Sequence, residues 1–189
     1  MRTPDATFVA ASRSILAQRE AMVARWSEWL RDRMTSTPSV QQAVVEQQLG
    51  LILDVLAAMV GPLRREVKTI WARVNDHYGR LAAARGLAAG EVVEEMLYLR
   101  ELLIRHLAPS IAALRPRQGM TLMLRLNRIV DHGVAQAVIG YTDAIVRTLL
   151  PGNGDELAPD AEPFDNAATA RELAAIRQAL ADVTGRPGA

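Results

Sequence analysis

The chain contains three histidines, His77, His106 and His132, and no cysteine. Imidazole is the side chain whose ordinary pKa lies near neutrality, so metal, haem or acid–base chemistry is sought first at these positions. Two ligands share one helix face when they stand three or four residues apart. No His–His or Glu–His pair has that spacing, and Asp76-His77 and Asp131-His132 are sequence neighbours that diverge around a helix. The absence of cysteine excludes disulfides, thiol catalysis and thiolate metal sites. Glu94-Glu95 reads as a pair of solvated charges at a helix start. PGNGDELAP, at 151–159, lacks the Lys-Ser/Thr that would complete a phosphate-binding loop. Trp26, Trp29 and Trp71 read as core or interface anchors rather than a cofactor box. An apolar pocket between helices for a small, unidentified ligand stays open. No catalytic residue, metal or cofactor is expected.

A helical bundle can also expose one histidine for phosphoryl transfer. HYGRL, at 77–81, resembles the His-x-x-Lys/Arg-Gly pattern of histidine phosphotransfer domains, with Leu81 in place of the glycine. RHLAP, at 105–109, is similar to a kinase phospho-acceptor box without the acidic residue after the histidine. A phospho-acceptor protein is therefore one alternative, and a haem-binding globin-like sensor another.

The elements that must position these residues are helical throughout. Half of the 189 residues are apolar, enough for one domain with a substantial core. No alternating strand pattern is present. A first helix is predicted from Asp5 to Met34, with Phe8, Ile15, Leu16, Met22, Val23, Trp26, Trp29 and Leu30 as its apolar stripe. A second follows Thr37-Pro38 and ends near Val60, where Gly61-Pro62 is a stop and a new start. A third runs from Pro62 to Arg85 and ends at Gly86. The fourth spans Ala89 to Leu107, with Glu91, Glu94 and Glu95 near the positive end of its dipole. The fifth, Gln118 to Leu150, changes apolar face partway. Leu122, Leu126, Ile129 and Val130 lie on one side, and Val134, Val138, Tyr141, Ile145 and Leu149 on another. This predicts a bend or burial against two neighbours. Residues 151–166 hold five acids and no base and read as a flexible acidic linker. A short last helix, 167–183, lies in the tail that ends at 189. The domain reading is one helical body over 1–150, the linker, and the tail 167–189.

Net charge is +1, so no strong field draws the chain to nucleic acid or anionic lipid. Asp5 and Arg13 interrupt any signal-peptide core, and the most apolar stretch is broken by Asp54. The expectation is a cytoplasmic protein with no nucleic-acid or membrane partner.

One residue in the fourth helix is out of place. Arg100 falls among Val93, Met96, Leu97, Leu99, Leu103 and Leu107, on the face expected to be buried. An unpaired buried guanidinium is very costly, and no acid stands three or four residues away. Asp131 shares the apolar arc of the fifth helix with Val134, Val138 and Ile145. Either the two form one buried pair, or each meets solvent or backbone at a groove.

At these residues HYGRLAAARGLAAGEVVEEMLYLRELL resembles the N-terminal sensor domain of RsbR/RsbRD-type stressosome co-antagonists, similar domains of which precede some bacterial histidine kinases. The matching positions are His77, Gly79, Arg80, Gly86, Glu95, Leu99 and Arg100, with Met96 where an aromatic is usual. LNRIVDHGVAQAVIGYTDAI looks like that family's following helix, with Asp131 and Tyr141 at matching positions. Ala88 replaces a capping Ser or Thr, which predicts a looser turn. No sulfate-transporter/anti-sigma-antagonist or kinase module is recognised after Leu150, so a free-standing sensor or a fragment is expected. The resemblance implies an all-α, globin-like bundle of about five long helices without haem, a homodimer engaged in stress-response signal transduction. It implies regulation of a signalling partner (a kinase or anti-sigma-type regulator), with Arg100 and Glu95 as fold-defining residues. Trp26 and Trp29 are the expected dimer contacts.

Overall fold

A computed structural model describes residues 6–33, 40–149 and 164–185. Among these are seven α-helices and no strand: α1 (Ala6–Ala17), α2 (Arg19–Arg33), α3 (Gln42–Val60), α4 (Lys68–Ala84), α5 (Ala89–Ala112), α6 (Pro116–Leu149) and α7 (Asn166–Thr184). The protein is an all-α bundle. Its centre is α3, which packs on α1, α2, α4, α6 and α7. Leu49, Leu51, Ile52, Leu53, Val55, Leu56 and Val60 are all fully buried, so α3 is apolar nearly all round, as a helix enclosed by others must be. It is also the one described helix long and apolar enough to cross a membrane, and 72% of that stretch is buried inside the bundle.

Several boundaries differ from those read in the sequence. The predicted first helix is two, interrupted at Gln18. The Gln18 N–H is shared between the Ser14 and Ile15 carbonyls, and its side-chain amide donates to the His106 carbonyl on α5 (3.4 Å). Residues 62–67 form turns, and α4 begins only at Lys68. Pro109 does not stop α5, which continues one turn past it. A proline interior to a helix removes one N–H donor, and here the Ala113 N–H still reaches the Pro109 carbonyl (3.3 Å). The Thr37-Pro38 start signal and the 151–163 stretch lie outside the described residues. The last helix is not a separate tail. Asp165 caps it by accepting from the Ala168 N–H (2.8 Å), Gly185 ends it at φ +64°, and Leu173, Ile176 and Leu180 are buried against α3 and α4.

The closest helix pair is α4 with α6. A Cβ at Gly79 would overlap the Ala137 carbonyl oxygen and lie 2.7 Å from the Tyr141 backbone nitrogen; one at Gly140 would overlap the Asp76 carbonyl. The two backbones touch, so only small residues fit between them. This corrects the face assignment of α6. The expected second apolar side is not the buried one. Gly133, Ala137 and Gly140 face inward, while Val134, Val138, Tyr141 and Ile145 are half-buried and Leu149 is 71% exposed. α6 buries itself mainly against α4 and α5, with smaller contacts to α3 and α1.

Candidate functional site

Of the polar residues singled out in the sequence, Glu95 and Tyr141 meet at the α4–α5 turn. Gly86 sits at φ +79°, the left-handed conformation that ends α4 and reverses the chain. Arg85 precedes it and Glu95 follows nine residues later, and the turn closes them into a bidentate pair (2.6 and 3.1 Å). Both residues are buried, at 2% and 4% exposure. The Tyr78 hydroxyl donates to the same carboxylate, and Trp26 lies against Tyr78 at 5.9 Å between ring centres. Burial pushes the Tyr78 hydroxyl well above its ordinary pKa, and the neighbouring Glu95 charge adds to that. Burial also acts against the Arg85 charge, but Glu95 and Tyr78 together offset it and hold Arg85 above its usual value. The buried charge on α5 is thus Glu95, and Arg85, which the sequence reading passed over, is its partner. The signal was present: Glu95 shares a helix face with Val92, Met96, Leu99 and Leu102, all buried, and Leu99 takes its place in this core.

Arg100 belongs to a different environment. It pairs with Asp131, but at the surface: the Asp131 side chain is 61% exposed. The buried version of this pair is overturned. Leu97 is 44% exposed and Val93 only half-buried, so the true inner face of α5 is rotated by roughly 70° from the predicted one, and Arg100 lies at its edge. From the edge its long stem reaches solvent. Asp131→Ala is expected to change the urea-unfolding free energy by less than about 1 kcal/mol. A loss near 3 kcal/mol would mean the pair is desolvated in solution after all.

The turn is not loosened by Ala88. The Glu91 carboxylate accepts from the Ala88 N–H (2.7 Å), and the Tyr141 hydroxyl donates to the Leu87 carbonyl (2.8 Å) from α6. Trp26 is fully buried inside the chain, which removes it from any contact with a second copy. Trp29 stacks on Tyr98 of α5 (4.5 Å), with Arg33 over its ring and bonded to Glu94, so it is a joint between α2 and α5.

A second polar cluster forms where α7 crosses α4. His77 is 3% exposed. Its Nδ1 lies 2.6 Å from the Gln48 side-chain oxygen, whose amide in turn donates to the Val74 carbonyl, so Nδ1 carries the hydrogen. Nε2 faces Glu172 of α7 at 3.7 Å. Arg80 grips Glu172 with two nitrogens (2.7 and 3.2 Å) and Asp76 with a third (3.1 Å). Burial lowers the His77 pKa to about 4, against the opposing pull of Glu172. Burial alone would raise the Glu172 carboxyl, but Arg80 and His77 hold it below its ordinary value. Beside them is a half-open cleft of about 90 Å³ lined by His77, Arg80, Leu81, Phe164, Thr169 and Glu172. It has room for roughly three waters, far below the ~300–1,000 Å³ of a pocket that encloses a cofactor or drug-sized ligand.

The sign of the pH effect follows. His77 has a lower pKa folded than its ordinary 6.5, so its contribution is complete above pH 6.5 and is lost as pH falls toward 4. Glu172, also lowered, withdraws stability in the same direction at lower pH. Unfolding free energy measured from pH 7 to 4.5 is expected to drop by on the order of 2 kcal/mol from His77 alone. His77→Gln should flatten that slope; an unchanged slope would place the titration elsewhere.

His106 is half-buried with Nδ1 on the Leu102 carbonyl (2.8 Å), and His132 is on α6, remote in sequence from both. Among the described residues no group of three or more His, Asp or Glu side chains is placed to hold a metal ion. No family model, curated protein or solved structure matches the chain.

Proposed function

We propose that the protein is a non-enzymatic, cytoplasmic signal-input or adaptor domain of the RsbRD N-terminal type, acting through homodimerisation and contact with a signalling protein partner. One observation carries this reading: the C-terminal half of α6 turns apolar side chains to solvent. Ile139, Val146 and Leu149 are 43–71% exposed with Val138 and Ile145 half-buried beside them, and Met120 and Leu124 are exposed nearer the helix start, beyond the charged Arg128 and Asp131. Clustered exposed apolar side chains mark an interaction site. The polar residues of the signature support the same reading, because they are spent on joining helices: Glu95 to Arg85 and Tyr78, Arg80 to Glu172, Tyr141 to Leu87. The dimer surface is accordingly α6 rather than the Trp26/Trp29 helix.

Light scattering at micromolar concentration is expected to give a dimer. Ile139→Lys with Val146→Lys should yield a monomer of unchanged helicity, since both residues lie outside the core. A wild-type monomer overturns this reading. The phospho-acceptor alternative is disfavoured at His77 by its burial beneath α7; acid-labile phosphate on His77 after incubation with a histidine kinase would reinstate it. A Soret band in the purified protein would decide for the haem-binding alternative.

A further inference from the structure

α7 is seated in a groove between α3 and α4, and its contacts describe what that groove recognises. The floor takes Leu173, Ile176 and Leu180, spaced three and four residues apart on one helix face and all buried. At the rim, Arg80 holds the Glu172 carboxylate, with His77 on its other side. At the N-terminal end, the Asn166 side-chain oxygen accepts from the Gln41 N–H (2.9 Å). Further along, the positive charge of Arg177 acts on Asp54 of α3. The groove therefore reads a helix of the pattern Glu-Leu-x-x-Ile-x-x-x-Leu.

The apolar anchorage of α7 is small: three of its side chains are buried, against four residues each in α1 and α2 and thirteen in α3. The ion pair at the rim keeps about a third of its surface in water, at 30% and 31% exposure. Sixteen residues, 150–165, separate α6 from α7 in the sequence.

We propose that the α3–α4 groove is a helix-docking site that α7 occupies within its own chain, and that an amphipathic partner helix with a carboxylate immediately before its Leu-x-x-Ile-x-x-x-Leu face displaces α7 to bind there. This is helix-in-groove recognition with the anchors of α7 as the template. Charge complementarity selects the partner, because Arg80 faces whatever occupies the Glu172 position. Because α7 competes from within the same chain, its occupancy of the groove lowers the apparent affinity of a competitor. The groove stands independently of the signalling reading above and rests on it only in giving displacement a regulatory use.

The test uses the full chain and a fluorescently labelled peptide of residues 164–185. Ile176→Asp undocks α7 from its own groove while leaving the groove intact. Peptide anisotropy is expected to show binding to the Ile176→Asp chain at least ~10-fold tighter than to wild type. Glu172→Ala, which removes only the rim contact, should fall between them. A peptide carrying Glu172→Arg should lose binding to the Ile176→Asp chain and regain it when that chain also carries Arg80→Glu. A folded Ile176→Asp chain that does not bind the peptide overturns the proposal. So does loss of the cooperative unfolding transition in both Ile176→Asp and Glu172→Ala, which would make α7 an inseparable part of the core. Neither outcome depends on whether the protein is a dimer, which the α6 variants address separately.

Discussion

Glu95→Ala is expected to destabilise the protein by about 3–5 kcal/mol, the loss typical of removing one member of a buried ion pair. The carboxylate accepts two bonds from Arg85 and one from Tyr78, and all three residues are at most 4% exposed. Removing it takes the Glu95 carboxylate away from the buried Arg85 guanidinium and from the Tyr78 hydroxyl. The informative comparison is the double variant Arg85→Met with Glu95→Leu. Replacing both partners by apolar groups removes the stranded charge, so the double variant is expected to be more stable than Glu95→Ala. Urea unfolding of the three proteins checks this. Equal losses in the single and double variants would show that the pair's stability comes from geometry at the turn, not from matched charge. The same measurement on Asp131→Ala supplies the exposed control, since that pair is similar in chemistry and differs in burial.

Gly140→Val is expected to prevent the native fold, and Gly79→Ala or Gly140→Ala to cost about 3–5 kcal/mol each, at the upper end of single substitutions. The obstacle is backbone rather than a mobile side chain. The atoms nearest the added Cβ at Gly140 belong to the Asp76 backbone, and those at Gly79 belong to Ala137 and Tyr141. Neither helix can yield locally, so the whole α4–α6 contact must open. That contact also carries the Trp71 indole N–H on the Ile129 carbonyl (3.1 Å) and Trp71 against Gly133. Gly90 supplies the control, because a Cβ there meets nothing within 4 Å. Gly90→Ala should be neutral or slightly stabilising, since glycine inside a helix is worse than alanine by roughly 0.5–1 kcal/mol. Circular dichroism and thermal unfolding of the four variants distinguish the two classes of glycine. Gly79→Ala within 1 kcal/mol of wild type would show that the helices are farther apart than described here.

The helical class, the apolar helix ending near Val60 and the Gly86 turn were legible in the residues, because they rest on local chemistry. Apolar runs, missing strand alternation and a glycine after a helix act over a few positions. The partner of Arg100 was also legible, since two opposite charges interrupted apolar arcs. What failed was phase. α5 carries leucine or methionine at 96, 97, 99, 102, 103 and 107, so apolar residues cover much of its circumference, and pattern alone does not select the inner face. A rotation of roughly 70° placed Arg100 inside and hid the role of Glu95, which is the reverse of the arrangement found. α6 failed for a related reason. Hydrophobicity assigns large side chains to the interior, whereas this interface selects by size, and Gly133, Ala137 and Gly140 go inward because two backbones meet there.

By itself, then, the sequence determined that the chain is helical, the extents of α6 and α7 to within two residues, and that Arg100 pairs with Asp131. Tertiary structure decided which charge is buried, that α7 belongs to the bundle, and that His77 is enclosed with Glu172 and Arg80. The physical reason is distance along the chain. Arg80 and Glu172 are 92 residues apart, and nothing local to either residue specifies the other. Their meeting depends on how α3, α4 and α7 pack, and packing is a property of whole helix surfaces.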